Sequence, residues 1–207
     1  MEFKGFTKKD FDTFQIAGLD ERMEAIRERI QPKFQAIGQV LTNDLSVRIG
    51  NEMFLHIAKH ARRTVNPPKD TWLAIANNKR GYKQHPHFQV GVFDDHVFVW
   101  LAFIYELPRK AEIATTFLTH FDEVVKLIPE DFVISLDHTK KDANSVANMG
   151  KDGLRSALER FRDVKKAEFL VGRHIAKDDP LLKNGPAFGD FVKETFETLV
   201  PLYLMAF

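Results

Sequence analysis

The stretch NNKRGYKQHPH, residues 77–87, sits between two apolar runs, TWLAIA and FQVGVF, and a second basic stretch, AKHARRT, lies at residues 58–64. From Lys59 to His87 there are seven Lys or Arg, three His and a single acid, Asp70, for a formal charge of +6. The remaining residues hold 23 basic and 28 acidic side chains, a balance of −5, so the overall +1 conceals a local asymmetry. Such asymmetry predicts a surface that attracts anions. Arginine presents a planar fork that holds phosphate or carboxylate through two hydrogen bonds, and lysine adds a point charge. Lys59, Arg62, Arg63, Lys79, Arg80 and Lys83 are therefore expected to line one basic groove, with Arg62, Arg63 and Arg80 able to close on a single ion. His60, Asn78 and His85 would add hydrogen bonds, Tyr82 a ring for stacking, and Gly81 room for close backbone approach. The bland alternative is a set of solvated loop charges, the usual state of Lys and Arg.

Proton transfer near neutral pH would fall to His60 or His87 within this segment, or to Asp137-His138 at the end of the run FVISL. A strand end aims such groups into a loop-lined cleft, although Asp at that position is also a common turn residue. His56 and His60 have the HxxxH spacing that on a helix brings two imidazoles to one face. FLHIAKH alternates like a strand instead, where positions four apart stand about 13 Å apart and share no ion. His85 and His87 have no carboxylate beside them, and zinc takes three or four ligands, so no metal site is expected. Asp94-Asp95-His96 reads as hairpin-turn chemistry. No GxSxG elbow, Walker loop or GxGxxG fingerprint occurs, and no cofactor is expected.

These residues must be held by a scaffold, and the apolar spacing describes it. Leu19, Met23, Ile26, Ile30, Phe34, Ile37, Leu41 and Leu45 follow at steps of three or four, which predicts one long amphipathic helix, kinked or split at Pro32. TKKDFDTF before it reads as a short helix capped by Thr7. Strands are predicted near residues 52–61, 71–77, 87–94 and 96–106, the last two forming a hairpin, with helices on both faces because their apolar residues alternate to neither side. Pro108 opens a helix that ends near Ile128. Strand FVISL, a polar loop, helix LRSALERFRDVKKA, strand EFLVGRHIA and a C-terminal helix complete the chain. The expected architecture is a single α+β domain over residues 1–207, with a largely antiparallel sheet of about six strands.

At 207 residues, roughly 70% of the unfolded surface can be buried without a disulfide or structural metal. Cysteine is absent, which excludes thiolate chemistry and fits a reducing compartment. The longest apolar run, VFVWLAFIY, has nine residues, while a membrane span needs about 20, and no signal peptide is evident. A soluble cytoplasmic protein is expected.

The run HIAKHARRTVNPPKDTWLAIANNKRGYKQHPHFQVG, followed by HVFVWLAFIYE, resembles the signature of the YktB-like proteins, a family of Gram-positive bacteria. FQIAGLDERMEAI, LIPEDFVISLDHTK and PLYLM are similar as well, so the resemblance spans nearly the whole chain. It implies a small single-domain α+β fold with no assigned activity, and it transfers no catalytic residues. The leading expectation is a module that binds a phosphate-bearing small molecule or a nucleic-acid backbone at residues 59–87. A hydrolase or transferase acting on an anionic phosphoester, with His as general acid or base, is the alternative. A domain docking an acidic protein partner is the third. A pI near 8.0 lies below the range of dedicated nucleic-acid binders.

Overall fold

The computed structural model describes residues 2–207. Thr7 opens α1 (Lys8–Asp12): its backbone N–H and its hydroxyl both donate to the Asp10 carboxylate, at 2.6 and 3.0 Å. Asp10 is buried, and Lys33 reaches it at 2.5 Å, which ties α1 to the long helix. The predicted apolar face forms as spaced: Ile26 to Leu45 are buried at the six predicted positions, with Leu19 and Met23 half-buried. α2 (Leu19–Ala25) passes through one π-helical turn, Ile26–Ile30, into α3 (Gln31–Ile49). Pro32 lies in the first turn of α3, so its missing N–H falls where the ladder has just been rewound. Gly50 ends α3 in the left-handed region, φ 71°.

Seven strands build one antiparallel sheet in the order β1-β2-β3-β4-β7-β5-β6. They are β1 (Phe54–Ile57), β2 (Thr71–Ala76), β3 (His87–Val92), β4 (His96–Phe103), β5 (Val133–Ser135), β6 (Asn144–Ser145) and β7 (Phe169–Ala176). The α+β class and antiparallel sheet agree with the sequence reading, and the strand count exceeds it by one. The extra strand, β6, is two residues inside a polar loop and carries no alternation that could announce it; pairing with Val133 and Ile134 alone creates it. β1 is shorter than predicted, because His60 takes a left-handed backbone, φ 49°, and turns the chain out of the sheet. The helix expected from Pro108 to Ile128 is two, α4 (Lys110–Thr119) and α5 (Phe121–Leu127), separated at His120. α6 (Val146–Asp163) starts earlier than predicted and breaks at Gly150, φ 59°, and α7 (Gly185–Leu204) closes the chain.

Strand register places Leu73, Ile75, Phe88, Val90, Val99 and Leu101 on one face, buried in the main core against α3 and α7. Phe88 packs between Phe196 and Tyr203, with ring centroids 4.9 and 5.2 Å away. Replacing Phe88 with Ala is expected to cost about 3–5 kcal/mol, read as a lower urea midpoint with an unchanged slope.

The opposite face is not covered by helices, contrary to the sequence reading. Trp72, Phe98, Trp100 and Leu170 form a smaller apolar cluster there, with Ala143 from the loop after β5 packed against it. His60 and Tyr82, from the loops before and after β2, both touch Trp72. Gly91 leaves the space the Phe98 ring fills; a Cβ at that position would overlap the ring. Among the described residues no helix is long and apolar enough to cross a membrane.

Candidate functional site

Three adjoining hollows run from the β1 margin of the sheet, where Leu55 and Ile57 border the first, onto the loop-covered face. The first, about 640 Å³, is lined by Lys59, Asn78, Arg80, Lys83 and His85. The second, about 420 Å³, takes Lys59, His60, Arg62, Arg63 and Lys83. The third, about 360 Å³, is bordered by Arg63, Lys69, Asp70, Trp72, His138 and Thr139. Neighbouring hollows share lining residues: Lys59, Tyr82 and Lys83 border the first two, and Arg63 and Trp72 the second and third. All seven cations from Lys59 to Lys83 are exposed. Among the described residues only Lys83 has a carboxylate within 4.0 Å, that of Glu106 at 3.5 Å. The other six have no carboxylate within that distance, although Asp70 lies in the same hollow as Arg63 and Lys69.

The cations are not arranged quite as the sequence suggested. Arg62 and Arg63 line the second hollow and Arg80 the first, so the three guanidinium groups do not surround one ion. Lys79 lines none of the three hollows. Asn78 is used structurally: its Oδ1 accepts the backbone N–H groups of Arg80 at 2.8 Å and Gly81 at 3.3 Å, while its own carbonyl accepts from His56 Nε2 at 2.8 Å. Trp72 Nε1 donates to the Tyr82 hydroxyl at 2.9 Å. The Tyr82 ring lies 4.9 Å from His87 and 5.5 Å from His56. It is a wedge between imidazoles rather than a free stacking platform, and burial pushes its phenol pKa up.

The imidazoles divide by environment. His87 is fully buried, its Nδ1 donating to the His85 carbonyl at 2.8 Å and its Nε2 meeting Gln89 at 2.9 Å; burial drives its pKa down to about 3 and takes it out of reach of a ligand. His60 lines the second hollow, but Nε2 is engaged by Thr71 Oγ1 at 3.1 Å, and burial, then Arg63, lowers its pKa to about 4. Its place outside β1 removes the strand-spacing argument against a shared ion, yet His56 and His60 are still separately bonded, to Asn78 and Thr71.

His138 differs. Its Nδ1 stands 2.9 and 2.8 Å from the two oxygens of Glu168, and its backbone N–H donates to the same carboxylate at 2.8 Å. Glu168, the residue before β7, is only 3% exposed and also accepts from the Tyr105 backbone at 3.3 Å. The carboxylate therefore holds the proton on Nδ1 and fixes the ring, which leaves Nε2 to serve the hollow that His138 lines. Burial opposes a charge on His138, but the hydrogen bond and charge of Glu168, helped by Asp70 and Asp137, outweigh it and raise the pKa. Asp70 lies in the same hollow, and burial raises its pKa to about 6 against the pull of His138 and Arg63.

Asp137, His138 and Glu168 bring ligand-type atoms within 4.8 Å of one another. Several of these atoms already serve hydrogen bonds: Glu168 accepts three N–H groups, and Asp137 Oδ1 accepts the Thr139 N–H at 2.9 Å and hydroxyl at 2.6 Å. The cluster is tied together by hydrogen bonds, and Asp137 acts as a turn residue. Sequence reasoning overlooked Asp70 and Glu168. Both left a trace: Asp70 is the sole acid in the basic segment, and Glu168 is a carboxylate directly before the apolar run FLVG.

Comparison with known proteins places this arrangement in a lineage. The family described as "Domain of unknown function (DUF1054)" matches residues 6–203. A UPF0637 protein of Oceanobacillus iheyensis is 67% identical over 202 residues, covering 98% of this chain and 96% of the relative. A second from Shouchella clausii is 60% identical over 206 residues, covering 100% and 96%, and one from Listeria monocytogenes is 54% identical over 207 residues, covering 98% of each. These relatives come from Gram-positive bacteria, as the YktB-like resemblance implies. With a match over nearly its whole length and relatives this similar, the chain belongs to the DUF1054, or UPF0637, family.

Proposed function

We propose that the groove binds a phosphate-bearing anion. The observation that supports the reading is the set of six exposed cations without carboxylate partners, five of which border three adjoining hollows. Concavity favours a small or extended anion over a flat acidic protein surface. The lack of cysteine suits a cytoplasmic setting, where phosphate esters and nucleic acids abound.

Pyrophosphate, nucleotides and single-stranded oligonucleotides at about 100 times their dissociation constant should stabilise the fold by about 2.7 kcal/mol. For a chain of this size that is a rise in Tm of about 5–10 °C. High salt should shrink the rise, because exposed charges are screened. Arg62→Glu combined with Arg63→Glu should abolish it while leaving the unliganded Tm within a few degrees. A panel that leaves Tm unmoved at low salt counts against the proposal.

A further inference from the structure

His138 stands where two hollows meet. The third hollow of the groove lies on one side, and on the other is a fourth, about 530 Å³, lined by Asp137, Lys140, Arg160, Lys166 and Glu168, with His138 and Thr139 common to both. Arg160 and Lys166 are exposed and have no carboxylate within 4.0 Å among the described residues; Lys140 has Asp137 at 3.7 Å. Positive charge thus flanks His138 on both sides, from Arg63 and Lys69 and from Arg160 and Lys166. A chain of phosphates threaded through both hollows would present an internal diester at His138.

We infer that this junction is a catalytic centre in which Asp70 and His138 act as base and acid to cleave a phosphodiester of a single-stranded polynucleotide, with Glu168 as the positioning residue. The inference rests on the proposed groove and extends it to a reaction. Arg63 and Lys69 hold the non-bridging oxygens and neutralise charge that builds on phosphorus. The Asp70 carboxylate takes a proton from a water molecule as its oxygen bonds to phosphorus. Protonated His138 donates the proton on Nε2 to the leaving oxygen as the bond from phosphorus to that oxygen breaks. One water is consumed, one phosphomonoester and one hydroxyl are released, and the proton gained by Asp70 is the one His138 must recover before the next turnover. Glu168 keeps the imidazole charged and aimed, in the way a carboxylate orients a catalytic histidine in other acid–base sites.

Opposite pKa requirements are met by the surroundings. Asp70 feels the charges of His138 and Arg63 and is ionised above about pH 6; Glu168, Asp70 and Asp137 hold the proton of His138 to higher pH, while the buried His87 remains neutral. Activity should therefore follow a bell, rising as Asp70 ionises and falling as His138 deprotonates.

The test uses the full chain with a fluorescein-labelled single-stranded oligonucleotide, followed by gel electrophoresis, and bis(p-nitrophenyl) phosphate as a second probe. Wild-type protein should cleave both. Asp70→Asn and His138→Gln should each slow cleavage at saturating oligonucleotide by about 100-fold or more, as expected for loss of a proton-transfer group, with saturation verified by fluorescence polarisation. Glu168→Gln should move the alkaline limb of the profile to lower pH, which a merely structural role would not do; circular dichroism melting verifies that each variant is folded. Cleavage by His138→Gln at the wild-type rate overturns the inference. So does wild-type protein that binds pyrophosphate or the oligonucleotide and cleaves neither probe, an outcome that leaves the groove standing. Absence of both binding and cleavage removes the two together.

Discussion

Between about pH 6.5 and pH 4.5 the protein is expected to lose about 6 kcal/mol of stability, a large part of the 5–15 kcal/mol typical of a domain. The cause is buried neutral imidazole. Burial lowers the pKa of His87 and of His174 to about 3 and that of His60 to about 4, and it lowers His96 as well. His96 and His174 lie with ring centroids 4.2 Å apart, and the Nε2 atom of each is buried without a hydrogen-bond partner. In the unfolded chain these rings take up protons near pH 6.5, while the folded protein excludes them. Stability therefore falls as pH drops through that value, with a slope of about 4 kcal/mol per pH unit where three extra protons are bound by the unfolded state. Asp70 works the other way: its folded pKa of about 6 exceeds the unfolded value, so its protonation returns about 2 kcal/mol over the same interval. Urea unfolding followed by circular dichroism across this range measures the slope. His174→Phe, which suits the contacts with Trp100 and His96, should remove about 2–3 kcal/mol of the acid loss. A flat profile, or an unchanged slope in that variant, would contradict the assignment.

Glu168→Ala should be the most damaging substitution on the loop-covered face, at about 3–5 kcal/mol near pH 6, because it strands a charged imidazole and two backbone N–H groups in a buried pocket. The sign of its pH dependence is fixed by His138. A histidine whose folded pKa is raised contributes stability that is complete below its unfolded value and disappears as pH climbs through the folded value. The penalty should thus be larger at about pH 6 than at a pH above the raised pKa of His138, where the ion pair is lost. Equal penalties at the two pH values would show that Glu168 serves only as a backbone acceptor.

The amphipathic helix was readable because its eight apolar residues keep helical spacing regardless of their partners, and the four central strands because both their faces are apolar. What covers the second face was not readable: Trp72, Phe98 and Trp100 look the same in sequence whether a helix or a loop lies over them. β6 and the break at His120 depend on tertiary pairing and on one residue's backbone angles, neither of which leaves a periodic trace. The basic segment was visible as composition, but convergence was not. Tyr82 and Asn78 look like ligand contacts by type and serve the loops instead. Asp70 and His138 lie 68 positions apart, and Glu168 a further 30, so only folding could reveal them as one group.

The sheet tapers. Its central members, β4 and β7, run eight residues each, while the margins, β1 and β6, have four and two. Unpaired N–H and C=O groups at a sheet margin are the template on which foreign strands zip up, and here that template is too brief to register a partner. Heat-induced clumping should accordingly follow opening of the interior strands, and it should track global unfolding rather than precede it.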